Sequence, residues 1–252
     1  MEDGIVESQM MGQAMEFSIY LPPGYSSRGE RYPVLYLLHG FTGDHTTYPR
    51  VIGVKKIADE AIRNSRAVPM LIVMPKSRGG MYINLPNGNY CYEDYFFQEL
   101  IPLVEKNYHV LNGKEGRAIA GHSMGGNGAI LYALKHPTLF ESCCAIGAAI
   151  DMNVPENNAS FSDENNIPNL LKRTADAVKA ASPEEHHTFV VRFYIDCGKE
   201  DGLLDVNKRL HVCMDGLGFA HEFYQRDGGH TWDYWRSALP FVLEFAFRTK
   251  LD

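Results

Sequence analysis

A glycine-rich stretch holds the serine best placed for chemistry. Ser123 lies in the sequence Gly-His-Ser-Met-Gly-Gly at 121–126, after the apolar run 117–120 and before a helix-like run at 127–136. The pattern predicts a strand, a sharp turn and a helix, the context that a nucleophilic serine needs at a strand tip. Glycines two positions before and after the serine relieve the crowding of such a turn. The alternative is an ordinary glycine-rich turn between a strand and a helix.

A nucleophilic serine needs a base, and the base needs a carboxylate that orients it. His230 is the candidate base. It follows the strand-like run 221–226, and the two glycines before it allow it to reach inward. Of the ten histidines, it is the one that combines a late position, a loop after a strand and preceding glycines. The alternative is a structural loop histidine.

Three aspartates compete to orient the base, all after the β-branched and aromatic run 189–195. Asp196 ends the strand, and a residue at that position tends to point into the sheet. Asp205 suits the first turn of the following helix, where a carboxylate is favoured. Asp201 lies on the loop between them and can turn toward a histidine on the adjacent loop. We therefore favour Asp201, and the other two remain alternatives.

Ester or amide chemistry at a serine needs two backbone N–H groups aimed at the developing oxyanion. Met124 follows the serine and supplies the first predicted donor. Phe41 supplies the second, because it lies in the loop 39–43, directly after the apolar strand-like run 33–38. Glycines at two positions of that loop keep its backbone close to a substrate. The alternative for the loop is a plain turn at the end of a strand.

The elements that must position these residues alternate regularly after residue 30. Strand-like and helix-like runs in alternation predict an α/β fold with a mostly parallel sheet and helices on both faces. With an N-terminal hairpin, the sheet has eight strands, predicted at 5–8, 15–21, 33–38, 69–74, 117–121, 142–148, 189–195 and 221–226. We expect one domain over 1–252. The long segment 151–188 indicates either a small cap or lid over the serine, or a lengthened crossover helix.

Aromatic residues cluster near the predicted catalytic edge of the sheet. Tyr82, Tyr90 and Tyr92 lie in a loop after a parallel strand, and Trp232 lies beside His230. Together they could form a wall that binds a planar acyl group. The alternative, for each one singly, is a packing role in the core.

Composition narrows the class of protein. The 252 residues are 45% hydrophobic and 22% charged, as in an ordinary globular domain. The net charge of −7 and the lack of a basic cluster argue against binding to nucleic acid or to a membrane. Five cysteines without C-x-x-C spacing argue against a zinc site. The acidic start at 1–4 lacks the features of a signal peptide. We expect a cytoplasmic protein, with a secreted protein whose signal peptide was removed as the alternative.

Several motifs along the chain resemble a known family. The motifs are Ile-Tyr-Leu-Pro-Pro-Gly-Tyr at 19–25, Tyr-Pro-Val-Leu-Tyr-Leu-Leu-His-Gly at 32–40, the serine motif at 121–126, Asp-Cys-Gly-Lys-Glu-Asp at 196–201 and Gly-His-Thr-Trp-Asp-Tyr-Trp at 229–235. They resemble the esterase D-like family of α/β-hydrolases, closest to its feruloyl (cinnamoyl) and tributyrin esterases. The resemblance implies the α/β-hydrolase fold and an acid five positions after Asp196, at Asp201.

The resemblance also implies an activity. It is that of a serine carboxylesterase, which needs no cofactor and no metal, acting on small acyl or hydroxycinnamoyl esters, including those derived from plant cell walls. The alternatives are a thioesterase of the S-formylglutathione type and an acetyl ester hydrolase of the acetylxylan type. A non-catalytic binding protein is disfavoured, because a binder needs none of Ser123, Asp201 and His230. The sequence leaves open whether the chain forms a homo-oligomer.

Overall fold

One mixed sheet of eight strands forms the centre of the protein in the computed structural model, which describes residues 1–77, 82–151 and 163–248. The strands are β1 (Glu2–Ser8), β2 (Gln13–Tyr20), β3 (Val34–Leu38), β4 (Leu71–Pro75), β5 (Arg117–His122), β6 (Ser142–Ile146), β7 (Arg192–Gly198) and β8 (His221–Arg226). Their order across the sheet is β1-β2-β4-β3-β5-β6-β7-β8.

The strand directions match the predicted hairpin and parallel sheet. β1 and β2 pair antiparallel, and β2 pairs antiparallel with β4. The strands from β3 to β8 pair parallel to one another. Because parallel strands all end at the same edge, the loops after β3, β5, β7 and β8 meet there. The sequence prediction of an eight-stranded, mostly parallel sheet is confirmed.

Helices cover both faces of this sheet. They are α1 (Val54–Arg63), α2 (Tyr92–Asp94), α3 (Ile101–Asn107), α4 (Met124–Lys135), α5 (Ile167–Ala180), α6 (Pro183–Phe189), α7 (Leu204–Leu217) and α8 (Trp232–Ala246). A π-helical turn, Tyr95–Leu100, joins α2 to α3, and another, Thr47–Ile52, precedes α1. Across the described residues, no helix combines the length and the apolar character that crossing a bilayer requires.

Alternate residues of the central strands supply two separate cores. In β3, Tyr36 and Leu38 pack with α3, α4, α5 and α7, whereas Leu35 and Leu37 pack with α1 and α8. All five residues of this strand are buried, as expected for a parallel strand that is covered on both faces. The result is a sheet covered on both faces, with the loops after its parallel strands at its carboxyl edge.

The described part of the segment 151–188 forms the helices α5 and α6, and the cap stays a prediction. Helix α5 packs beside α4 in the layer that covers the sheet, where Thr174 Oγ1 donates a hydrogen bond to the Leu134 carbonyl, at 3.2 Å. The amphipathic pattern of α5 is satisfied by that packing, so the helix has no need to lie over the serine. The rest of the predicted cap, residues 152–162, lies outside the described residues.

The turn after β5 depends on two glycines. A Cβ on Gly125 would lie 2.1 Å from the carbonyl oxygen of Leu38, and one on Gly121 would lie 2.3 Å from the carbonyl carbon of Gly125. Neither contact is possible for a real side chain, so α4 can approach β3 and β5 this closely only when both positions are glycine.

We predict that Gly125→Ala lowers the free energy of unfolding by about 1–3 kcal/mol, because the added methyl group forces the backbone of Leu38 away. Gly216→Ala is the matched control. Gly216 lies in α7, its added Cβ would meet nothing within 4 Å, and alanine is favoured in a helix. Urea denaturation should therefore show a control that is neutral or more stable. Equal stability of the two variants would contradict the packing described for the turn.

Candidate active site

Ser123 occupies the turn between β5 and α4 in a backbone conformation that few residues other than glycine adopt. Its φ is 54° and its ψ is −120°. The surrounding backbone holds it there. The Ser123 N–H donates to Ile146 O at 2.9 Å, and the Ser123 carbonyl accepts from Asn127 N at 3.1 Å and from Ala149 N at 3.0 Å. These hydrogen bonds fix a strained residue, a feature that clusters at functional sites.

A continuous line of hydrogen bonds links the serine, the histidine and one aspartate. His230 Nε2 lies 2.9 Å from Ser123 Oγ, and His230 Nδ1 lies 2.7 Å from Asp201 Oδ2. A carboxylate can only accept, so Nδ1 carries the proton and the lone pair of Nε2 faces the serine hydroxyl. The histidine is therefore oriented to take a proton from Ser123. Its side chain is 34% exposed, whereas the Asp201 side chain is fully buried.

Asp201 is fixed by the loop after β7. The Leu203 N–H donates to Asp201 Oδ1 at 2.8 Å, and the Asp201 N–H donates to Gly198 O at 3.1 Å. One carboxylate oxygen thus binds the backbone while the other faces His230. This division of roles holds the carboxylate in a single orientation.

The other two candidate aspartates lie elsewhere. Asp205 is exposed in the first turn of α7. Asp196 is fully buried and accepts hydrogen bonds from the hydroxyls of Tyr194 and Tyr234 and from the guanidinium of Arg226. The strand-end aspartate therefore anchors β8 and α8 to β7, as a buried carboxylate must when it has no solvent to bind. Of the three, the structure brings Asp201 to His230.

Gly147 is a site residue that sequence reasoning missed. It follows β6, has a φ of 50°, and a Cβ there would lie 2.8 Å from Asp201 Oδ2 and 3.5 Å from His230 Nδ1. A side chain at this position would collide with the aspartate–histidine pair. The signal in the sequence was a glycine directly after the strand that neighbours the serine strand.

The two predicted oxyanion donors border the serine. Met124 is the first residue of α4, so its N–H has no acceptor within the helix. On the other side, a Cβ on Gly40 would lie 3.4 Å from Ser123 Cβ, which places the loop of Phe41 against the serine. The side chain of Phe41 is 69% exposed. The donor roles of Phe41 and Met124 stay predictions.

Two buried histidines lie beneath this loop. Burial, together with the nearby His39 and His230, lowers the pKa of His122 to about 3. Burial likewise lowers the pKa of His39. Both imidazoles are consequently neutral near pH 7, so each has one donor and one acceptor nitrogen.

The predicted aromatic wall is wrong for two of its members. Tyr82 and Tyr92 have no exposed surface, and their rings pack edge to face 5.2 Å apart in the core. The hydroxyl of Tyr82 donates to His39 O at 2.8 Å. The loop turns inward because burying these two large rings removes more apolar surface from water than an exposed wall would. A bound acyl group cannot contact either ring.

Tyr90 and Trp232 retain exposed surface. The Tyr90 hydroxyl lies 3.0 Å from Ser77 Oγ, and its ring stacks on that of Tyr92. Trp232 begins α8 and packs edge to face against His122, with ring centroids 5.8 Å apart. Their contact with a substrate stays a prediction, and the position of Trp232 beside the serine turn supports it most directly.

One cluster of metal-binding side chain types exists among the described residues, and it is remote from the serine. His211, Asp215 and His221 meet where β8 begins, at the opposite edge of the sheet. The ring nitrogens bind protein groups. His221 Nδ1 donates to Phe219 O at 2.9 Å, and its Nε2 lies 2.7 Å from His211 Nδ1. The cluster therefore takes no part in the candidate active site.

Comparison with known proteins shows the family to which the chain belongs. The model of the family described as "Putative esterase" matches residues 8–245. The chain belongs to this esterase family. The resemblance seen in the sequence is thereby confirmed, and so is the α/β-hydrolase fold, because a solved structure of a ferulic acid esterase superposes with a TM-score of 0.83 at 31% identity, over 98% of this chain and 97% of the other.

Relatives of the chain are esterases by name. An endo-1,4-beta-xylanase/feruloyl esterase of Xylanibacter ruminicola is 33% identical over 96% of this chain, which spans 30% of that larger protein. An acetyl esterase of Caldicellulosiruptor saccharolyticus is 23% identical over 86% of this chain and 84% of its own length. These relatives and the solved neighbour are carboxylic ester hydrolases, and the chain is an enzyme of that class.

Proposed function

We propose that the chain is a serine carboxylesterase that forms an acyl-enzyme on Ser123. The observation that carries the proposal is the unbroken line from Ser123 Oγ to His230 and from His230 to Asp201, with contacts of 2.9 and 2.7 Å. A nucleophile, a base and a group that orients the base are the parts that acyl transfer at a serine requires.

Acylation begins with the hydroxyl of Ser123. Its oxygen attacks the carbonyl carbon of the ester as its proton passes to His230 Nε2, and the buried Asp201 carboxylate stabilises the imidazolium that forms. The negative charge on the former carbonyl oxygen is stabilised by the N–H groups of Phe41 and Met124. The intermediate then collapses. The imidazolium donates its proton to the leaving alcohol, and the acyl group remains on Ser123.

Deacylation repeats these steps with water. His230 Nε2 takes a proton from a water molecule, whose oxygen attacks the acyl carbon and forms a second oxyanion between the same two N–H groups. Collapse returns the proton from His230 to Ser123 Oγ and releases the carboxylic acid. The partial exposure of His230 suits this step, because water must reach its Nε2.

The names of the relatives support hydroxycinnamoyl esters as the substrate class. The chain is 33% identical to an endo-1,4-beta-xylanase/feruloyl esterase, of whose length it spans 30%, and 31% identical to a ferulic acid esterase of known structure. Near Ser123, the exposed ring of Phe41 and the half-buried ring of Trp232 offer flat apolar surface to a phenolic acyl group. The acetyl esterase relative, at 23% identity, favours acetyl esters as the second candidate.

We predict that Asp201→Asn lowers kcat by about 10³–10⁴-fold, because an amide at this position no longer fixes the imidazole tautomer. Asp205→Asn is the matched control, since Asp205 is exposed and it is Asp201 that binds His230 Nδ1. Steady-state hydrolysis of p-nitrophenyl acetate measures both, with Ser123→Ala as the baseline. A loss of similar size in the two aspartate variants, or near-normal turnover by folded Ser123→Ala, would refute the assignment.

We predict that Trp232→Ala lowers kcat/KM several-fold more for methyl ferulate than for p-nitrophenyl acetate, because aromatic stacking contributes about 1 kcal/mol and an acetyl group is too small to use it. Val212→Ala is the control for an exposed apolar side chain, since Val212 lies on α7. Measuring kcat/KM for an acetyl ester of xylose and for S-formylglutathione as well compares the wild-type protein's activity as a feruloyl esterase with the acetyl esterase and thioesterase alternatives. Equal losses of kcat/KM for methyl ferulate and for p-nitrophenyl acetate would exclude Trp232 from the acyl site.

A further inference from the structure

Buried side chains hold the loop 39–43, which carries the predicted oxyanion donor Phe41. Gly40 precedes Phe41, and both polar groups of its backbone bind neighbouring residues. The Gly40 N–H donates to His122 Nε2 at 3.1 Å. The Gly40 carbonyl accepts from Gly43 N at 3.0 Å and from His39 Nδ1 at 2.7 Å. The backbone of this glycine is therefore fixed at both ends.

The direction of the Phe41 N–H follows from the Gly40 carbonyl. The two groups belong to one planar trans peptide, in which C=O and N–H point in opposite directions. Fixing the carbonyl of Gly40 thus fixes the N–H that we assign to the oxyanion. Phe41 needs no side-chain contact to hold that orientation, in keeping with its exposed ring.

The proton positions in this network are determined by its partners. A backbone N–H can only donate, so His122 Nε2 is unprotonated and Nδ1 of the neutral ring carries the proton. His122 Nδ1 then donates to Tyr48 Oη at 2.8 Å, and the hydroxyl of Tyr48 is directed to Leu38 O at 3.3 Å. One proton arrangement satisfies every member of this chain of hydrogen bonds.

We propose that His122 is a positioning residue for the oxyanion site, and that Tyr48 acts through it by accepting the hydrogen bond from its Nδ1. The inference rests on the proposed function of Ser123 and Phe41. His122 holds Gly40 in the orientation that aims the Phe41 N–H, and it does so only while Nε2 is unprotonated. Without the Tyr48 hydroxyl, the buried proton of Nδ1 loses its acceptor, so the ring is held less firmly against the Gly40 N–H.

The packing around His122 leaves its ring little room to move. Its side chain is fully buried, and its ring packs against Trp235 at 4.1 Å between centroids. A Cβ on Gly40 would lie 2.9 Å from His122 Nε2, so the loop and the ring are already in close contact. A shift of the ring or of its proton is consequently transmitted to the loop rather than absorbed by space between them.

The test uses three variants of the full chain. His122→Phe keeps an aromatic ring at this position and removes the acceptor. His122→Gln keeps an acceptor for Gly40 and donors for Tyr48. Tyr48→Phe removes a single oxygen atom. Ser142→Ala is the structural control, since Ser142 is equally buried and its hydroxyl donates to Ala246 O at 2.7 Å, remote from the serine.

Oxyanion stabilisation acts in the transition state, so the expected effect falls on kcat rather than KM. We expect His122→Phe to lower kcat for p-nitrophenyl acetate by about 10²-fold, the loss typical of a misplaced catalytic group, with KM within about threefold. Tyr48→Phe should lower kcat about 10-fold, as for one weakened hydrogen bond. His122→Gln should recover most of the loss, and Ser142→Ala should leave kcat unchanged.

A trifluoromethyl ketone separates this role from a merely structural one. Its hemiketal with Ser123 carries an oxyanion, so its inhibition constant should rise across the His122 and Tyr48 variants by the same factor as kcat/KM falls. Imidazole ¹⁵N shifts report the tautomer directly. We expect Nδ1 of His122 to be protonated in the wild-type protein and in Tyr48→Phe, because the Gly40 N–H keeps Nε2 unprotonated in both.

Several results would overturn the inference. They are wild-type kcat in a folded His122→Phe or Tyr48→Phe protein, a ketone inhibition constant that stays constant while kcat falls, and a wild-type His122 protonated on Nε2. If His122→Phe does not fold, Tyr48→Phe and the ¹⁵N shifts decide the question. Failure of the proposed function is distinguishable, because folded Ser123→Ala would then remain active and the ketone would not compete with the ester.

Discussion

The contact between Gly125 and the carbonyl of Leu38 is the constraint on which the rest of the site depends. Because neither Gly121 nor Gly125 has a Cβ, α4 starts directly against β3 and β5. That contact puts Ser123 at the tip of β5 with a positive φ, and it brings the loop after β3 alongside the serine. The proposed nucleophile and both predicted oxyanion donors thus take their places from one close backbone approach.

The aspartate–histidine pair depends on a second close approach. The loops after β7 and β8 converge on the end of β6, where Gly147 leaves the space that Asp201 and His230 fill. Asp196, at the end of β7, ties β8 and α8 to the same edge through Arg226 and Tyr234. Asp196, to which we assign no step of the reaction, therefore helps to hold the edge of the sheet where Asp201 lies.

Much of this architecture is predictable from the sequence, because it rests on local patterns. The apolar runs at 33–38 and 117–121 and the alternation with helices predict the parallel sheet, and the order of Ser123, Asp201 and His230 along the chain predicts their meeting at its edge. Chain order alone left three aspartates open. The loop position and the family resemblance favour Asp201, and the structure separates it from the other two by its contact with His230 and the hydrogen bond from the Leu203 N–H.

What the sequence could not give are properties of packing. Tyr82 and Tyr92 look like surface aromatics in a loop, and their burial depends on how that loop folds onto α4, where Gly128 leaves room for the ring of Tyr82. His122 has the pattern of a packing residue, and its hydrogen bonds to Gly40 and Tyr48 join positions far apart in the chain. Contacts of this kind have no signature in local periodicity.

The central claim is that Ser123 is the nucleophile and that the base beside it activates it. An alkyl fluorophosphonate tests it most directly, since the reagent forms a stable phosphonyl ester with an activated serine. Peptide mapping by mass spectrometry after stoichiometric inactivation should find the phosphonyl group on Ser123, with much slower labelling in His230→Ala. Complete loss of esterase activity with the label on another residue, or full activity in protein labelled at Ser123, would contradict the account.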